Sequence, residues 1–289
     1  MRFLGRIVIA GCFLVGTCVR GDTLYVSNHN ASIEKYDVNG NGSTFGSSIP
    51  GSPLQGAGGL AFDKNGNLFV AADDGIFKYT PSGAASIFAR PIALGGAQGA
   101  AFSSNGTLFV AYRAGGTIEE FQTNGNATTF VAGLIGLSGI AFDPTGNLFV
   151  ATPSAIEELS STGTETLFAS GFNSLSGLVF DKSGNLFAAD SASNQIWKFG
   201  PKGGQSVYAS TGFNEPVGLA FDHIGNLFVA NAFGNTISRV DTSGNVTQFA
   251  SVGGPTYLAV QVPEPATWML LAMGAGTALL ALRSRRQSP

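Results

Sequence analysis

The chain repeats itself about every 40 residues, and a repeat of that length has few ways to fold. Gly59-Leu-Ala-Phe-Asp63, Gly99-Ala-Ala-Phe-Ser103, Gly139-Ile-Ala-Phe-Asp143, Gly177-Leu-Val-Phe-Asp181 and Gly218-Leu-Ala-Phe-Asp222 are one motif at spacings of 40, 40, 38 and 41 residues. Each copy runs into a second motif, Asn67–Val70, Thr107–Val110, Asn147–Val150, Asn185–Ala188 or Asn226–Val229. A third begins at Ile76, Ile118, Ile156, Ile196 or Ile237, and a fourth short run ends at Phe88, Phe130, Phe168, Tyr208 or Phe249. Such short apolar runs, rich in Phe, Val and Ile and separated by Gly, Asn, Ser and Asp, read as four strands per repeat. No sustained helical period appears between them. The pattern predicts an all-β chain in which each repeat is one propeller blade.

The two ends of the array are complementary. Thr23-Leu-Tyr-Val26 matches the second motif, with Ile33 opening a third and Phe45 closing a fourth, so a first strand is missing there. At the far end Tyr257-Leu-Ala-Val260 matches a first strand and has no partners behind it. Pairing the two would close a ring and remove the exposed edges that invite aggregation. Residues 22–261 make six such units. The expectation is a six-bladed β-propeller, four strands per blade, its first blade closed by the C-terminal strand. The repeated Phe residues would fill the space between sheets. Asp63, Asp143, Asp181 and Asp222 would accept backbone N–H groups in the turns that follow them. Lys35, Lys78, Glu120, Glu158, Lys198 and Arg239, one in each third strand, read as charged heads reaching solvent.

Residues 1–21 read as a secretory signal. Arg2 and Arg6 precede an apolar stretch, Ile7–Val19, too short to span a bilayer. Ile9-Ala10-Gly11-Cys12 resembles a lipoprotein box, but the apolar run continues past Cys12. Both cysteines, Cys12 and Cys18, lie in this segment, so no disulfide framework holds the body. At the other end Val262-Pro263-Glu264-Pro265 precedes Ala266–Leu282, 17 residues without a charge, and then Arg283, Arg285 and Arg286. Such a helix would be about 25 Å long, at the short end of a membrane span. Its basic tail would stay cytoplasmic and leave the body outside. Residues 262–289 resemble the PEP-CTERM sorting signal. That resemblance implies an outer-membrane-bearing bacterium, an exosortase-type processing enzyme, transient inner-membrane anchoring, and release to the surface or an exopolysaccharide matrix.

Six of the 15 basic residues sit in these two ends, while 17 of the 18 acidic ones sit between them, so the body carries a net charge of −8. An acidic body argues against nucleic acid as a partner.

The motif series G-[LIA]-A-F-D-x-x-G-N-L-F-V-A followed by I-x-[KE]-[FY] resembles NHL-type repeats and the six-bladed group that contains gluconolactonase, regucalcin and streptogramin lyase. In that group the functional side chains stand at the top of the central channel. They lie on loops after second strands and before first strands. The resemblance thereby singles out Asn28, Asp73, Asp190 and Asn231. Their oxygens would suit a hard cation such as calcium, or else cap strand ends and face water. The group's glutamate ligand has no evident counterpart; only Glu215 lies near a top loop. His29 is the one imidazole on that face able to act as a general base. His223 falls in a turn on the opposite face.

Fold alone does not assign an activity. The loops are small and polar, which favours an exported binding or scaffold module that takes matrix polysaccharide or surface proteins and is not catalytic. The alternatives are a calcium-dependent lactone hydrolase and a lyase working through His29.

Overall fold

The computed structural model describes residues 21–28, 32–46, 54, 56–92, 95–201 and 203–262. Residues 1–20 of the expected secretory signal, His29, the sorting-motif residues Pro263, Glu264, Pro265, Arg283, Arg285 and Arg286, and the apolar run 266–282 lie outside them. No helix among the described residues is long and apolar enough to cross a membrane.

Every strand joins one of six four-stranded antiparallel sheets. Blade 1 takes β1 (Thr23–Asn28), β2 (Ile33–Tyr36) and β3 (Gly42–Gly46). Blade 2 is β4 (Leu60–Phe62), β5 (Leu68–Ala72), β6 (Gly75–Tyr79) and β7 (Ala85–Ala89). Blade 3 is β8 (Ala97–Phe102), β9 (Leu108–Tyr112), β10 (Thr117–Phe121) and β11 (Ala127–Val131). Blade 4 is β12 (Ile140–Phe142), β13 (Leu148–Ala151), β14 (Ala155–Leu159) and β15 (Glu165–Ser170). Blade 5 is β16 (Leu175–Phe180), β17 (Leu186–Asp190), β18 (Gln195–Phe199) and β19 (Gln205–Ala209). Blade 6 is β20 (Pro216–Phe221), β21 (Leu227–Asn231), β22 (Thr236–Val240) and β23 (Val246–Ser251). The chain then returns to blade 1 as β24 (Pro255–Gln261), which pairs with β1 through Leu24↔Val260, Tyr25↔Ala259 and Val26↔Leu258. The ring therefore closes as the repeat register requires.

Packing between blades follows one rule. The aromatic ring of each second strand meets one ring from the fourth strand of its own blade and one from the first strand of the next. Phe69 lies 5.0 Å from Phe88 and 5.1 Å from Phe102. Phe149 lies 5.0 Å from Phe168 and 5.2 Å from Phe180. Tyr25, Phe109 and Phe187 repeat this with Phe45 and Phe62, Phe130 and Phe142, Tyr208 and Phe221. All of these contacts are edge-to-face, the arrangement the ring quadrupole favours. The last gap departs from the rule. Phe228 meets Phe249 at 4.8 Å, but the place of the next blade's ring is taken by Val260.

The third-strand charges are less free than the sequence suggested. The ammonium groups of Lys35, Lys78 and Lys198 each stand 5.4 Å from an aromatic centroid, of Phe45, Phe69 and Phe187. Glu120 accepts from Thr128 and Glu158 from Asn147. The alternation of the strand sends these side chains over the edge of the aromatic layer, so their stems cover it before their heads reach water.

The turns joining first to second and third to fourth strands lie on one side of the ring, here called the turn face. Asp63 shows how they are built: one carboxylate oxygen accepts the N–H groups of Asn65 and Asn67, and the other accepts the Asn67 amide. Asp37, Asp181, Asp222 and Asp241 do the same. Asp143 also holds two backbone N–H groups. At Asp37 and Asp241 the side-chain bonds from Asn41 and Asn245, helped by backbone N–H groups, pull the carboxyl below its ordinary value of 3.8. A carboxyl depressed by folding adds stability above its unfolded pKa and loses it as pH falls through the folded value. The melting temperature should therefore drop once pH goes below about 4. In the double variant Asp37→Asn, Asp241→Asn that acid slope should be shallower, which a series of thermal melts from pH 6 to 2.5 would read.

Candidate functional site

First strands line the axis, and their backbones crowd one another near the opposite side of the ring, the loop face. Five glycines occupy equivalent places there: Gly59, Gly99, Gly139, Gly177 and Gly218. A Cβ on Gly177 would stand 2.2 Å from the Val217 carbonyl oxygen, and one on Gly218 would stand 2.3 Å from that of Thr256. Only glycine lets adjacent blades approach this closely. Backbone bonds run from blade to blade at this level, Gly99 N–H to Ser138 and Gly139 N–H to Ser176. The Ser138 hydroxyl donates to carbonyls at Leu175 or Ser176, and the Ser176 hydroxyl to Pro216 or Val217. Thr256 does the same toward Ser27 and Ala57.

The sixth place in this collar holds Tyr257 instead of glycine. Its side chain lines the axial channel, and its hydroxyl donates to Gln98 of blade 3, two blades away, at 2.9 Å. Burial there pushes the phenol well above its ordinary pKa, against the opposing pull of Arg113. Below the collar the first strands surround a channel of about 380 Å³ that runs to the level of Phe62, Phe102, Phe142, Phe180 and Phe221. Tyr257 therefore stands where the channel would meet the loop face.

The structure places Asn28, Asp190 and Asn231 at equivalent ends of second strands on three consecutive blades, all buried. Asp73 sits one residue beyond the end of β5 and is half-buried. Their polar atoms hold loops. Asp190 accepts N–H groups from Asn173, Ser174 and Ser193. Asp73 accepts those of Gly96 and Ala97, at 2.7 and 3.2 Å, and so fixes the start of blade 3. Asn231 accepts from Asn214 and donates to Thr236 and Ser238. Asn28 exchanges bonds with Ser32. Among the described residues no three His, Cys, Asp or Glu side chains form a group able to hold a metal ion. On the turn face, His223 bonds through its backbone N–H and its ring nitrogen to one oxygen of Asp22, both at 2.7 Å.

Several residues that shape the loop face escaped the sequence reading. Asn194 and Asn235 have φ of 55° and 52°, the left-handed region that asparagine tolerates. Each uses that turn to accept a backbone N–H from the following blade, Glu215 and Gly254 respectively, at 2.7 Å. Their common place, two residues before the third-strand isoleucine, was the available signal. Glu119 is fully buried and accepts the Ile92 N–H in the loop leading into its own blade. Beside it the Tyr112 hydroxyl is buried without a hydrogen-bond partner, and its pKa is raised by burial first and by the Glu119 charge second. Three large apolar side chains stand out on this face: Ile135 is 88% exposed, Phe233 75% and Ile92 62%.

Replacing Asp190 with Ala should release the segment 173–174 and cost about 1–3 kcal/mol, the penalty for buried donors left unpaired. Amide exchange at Asn173 and Ser174 should speed up by more than tenfold while exchange in β12–β15 is unchanged.

Comparison with known proteins separates the tail from the body. The profile of the PEP-CTERM protein-sorting motif matches residues 261–286. The chain carries that sorting motif. It implies export, C-terminal membrane anchoring, and recognition and processing by an exosortase. No curated protein matches the chain. Among solved structures, the body resembles a chain of a nidogen/laminin complex, with TM-score 0.72 and 19% identity over 83% of this chain and 98% of that one. It also resembles a streptogramin B lyase, with TM-score 0.60 and 18% identity over 79% and 74%. A virginiamycin B lyase from Staphylococcus aureus gives TM-score 0.61 and 15% identity over 79% and 80%. At these identities the likeness shows the fold alone; ahead of the sorting motif stands a six-bladed propeller.

Proposed function

We propose that the chain is an exported propeller that binds a surface or matrix component with its loop face and performs no chemistry on it. The supporting observation is how the loop face spends its polar groups. Asp73, Asp190 and Asn231 are committed to backbone N–H groups of the loops themselves. Tyr257 lines the loop-face end of the axial channel and is bonded there to Gln98. Among the side chains the face offers outward are the apolar Ile92, Ile135 and Phe233. Exposed aromatic and aliphatic groups amid small polar loops suit the apolar faces of sugar rings or a protein surface.

The full chain should be retained on immobilised exopolysaccharide of the producing organism, or on a fraction of its surface proteins. The double variant Phe233→Asp, Ile135→Asp should be retained at least fivefold less. Failure of the parent chain to be retained on either support overturns the reading. Calcium-stimulated opening of a lactone, abolished by Asp190→Ala, would replace it with the hydrolase; elimination chemistry abolished by His29→Ala would replace it with the lyase.

A further inference from the structure

The strand that leads into the sorting motif is the innermost strand of its blade. β24 lines the axial channel through Tyr257–Val260, and it runs from the loop face toward the turn face. Its last residue, Gln261, pairs with Thr23, and the Gln261 amide donates to the Gly66 carbonyl in a turn of blade 2. The chain therefore leaves the propeller from near the centre of the turn face, not from its rim.

Little chain is left for a tether. Only Pro263, Glu264 and Pro265 separate Val262 from Ala266, where the uncharged 17-residue run begins. Four residue steps reach roughly 14 Å when fully extended. In each blade the outermost strand lies roughly 14 Å farther from the axis than the innermost one, at about 4.8 Å per strand, and the channel adds its own radius. A ring standing on its rim would hold the origin of the tether farther from the bilayer than the tether can reach. A ring lying flat meets no such conflict.

The turn face is built to lie flat. Its connections are tight turns, and the carboxylates of Asp37, Asp63, Asp143, Asp181, Asp222 and Asp241 are directed onto N–H groups of their own turns. Around the place where both chain ends leave, Val38, Ile224 and Val262 are 54%, 62% and 50% exposed. Val38 and Ile224 border a small cavity of about 140 Å³ floored by Leu24, Phe228, Phe249 and Val260. Apolar side chains at the exit of a membrane-bound tail suit the interfacial zone of a bilayer.

We infer that, before processing, the propeller is held face-down, with its turn face against the membrane and its loop face presented away from it. This rests on the anchored reading of the sorting motif.

The test uses the full chain in a bacterial host without an exosortase. Its own cysteines, Cys12 and Cys18, fall in the leader. Single cysteines are introduced on the turn face (Asn65→Cys or Ser183→Cys) and on the loop face (Ala114→Cys or Ala192→Cys), all at exposed positions. Each is reacted with a bulky polyethylene-glycol maleimide in intact spheroplasts and again after detergent solubilisation. Turn-face cysteines should react at least fivefold more slowly on the membrane and recover in detergent, while loop-face cysteines react equally in both. Inserting 12 Gly/Ser residues after Val262 (a length of about 20 Å as a flexible coil) should remove the difference. Equal rates on both faces in a chain that resists alkaline extraction would overturn the orientation and leave the anchor standing. Extraction of the chain from the membrane would overturn both.

Discussion

A chain ending at Val252, without the residues of β24, should lose cooperative unfolding, whereas a chain ending at Val262 should melt as the full-length protein does. The shorter chain exposes the whole length of β1, takes Leu258 and Ala259 out of the core clusters of blades 6 and 1, and removes Tyr257 and Thr256 from the collar. Its loss is not local, because a ring with one strand missing has two unsupported blades. Burial of one large apolar side chain is worth about 1.5–3 kcal/mol, and β24 buries Leu258 and half-buries Tyr257 and Val260 besides closing its ladder to β1. The sum is comparable with the whole stability of an ordinary domain, about 5–15 kcal/mol. Circular dichroism during a thermal ramp reads both outcomes. A sharp transition in the Val252 chain would show that the body of 23 strands stands by itself and that closure is ornamental.

Phe149→Ala should be among the most destabilising single substitutions, at about 3–5 kcal/mol for a large-to-small change in a packed core. Phe149 is 5% exposed and meets both Phe168 and Phe180 edge-on. Phe228→Ala is the internal control. Phe228 is as well buried, but Val260 replaces the ring that the next blade would supply, so only Phe249 of the two usual aromatic partners is present. The difference between the two variants should approach the worth of one aromatic pair, about 0.5–1.5 kcal/mol. Urea midpoints at constant m-value measure it. Equal losses would mean that apolar area alone, and not ring geometry, holds neighbouring blades.

The blade count and the closure were legible because each motif copy carries its own strand and turn chemistry. Phe62, Asp63 and Gly66 mean the same thing wherever they recur, since a turn is satisfied within five residues. The loop face was less legible because its bonds join different repeats. Asn194 holds the N–H of Glu215, and Asp73 holds those of Gly96 and Ala97, pairs no spacing rule connects. Glu119 resembled its neighbour Glu120 in sequence, yet strand alternation buries one among its own blade's loop and sends the other toward Thr128. Tyr257 was visible as the one first strand without glycine. That this places it at the loop-face end of the channel follows only from the convergence of all six first strands on one axis.

The dependence of the first blade on the last strand also governs when the protein can exist. Tyr25 and Gln261, which bond directly, are 236 positions apart, so the decisive contact is among the most non-local in the fold and has a correspondingly high cost of loop closure. β1 is made first and must wait for its partner until nearly the whole body has followed it. The ring cannot close until β24 is available, however much of the body has already formed. The order in which blades can be completed is thereby set by strand placement.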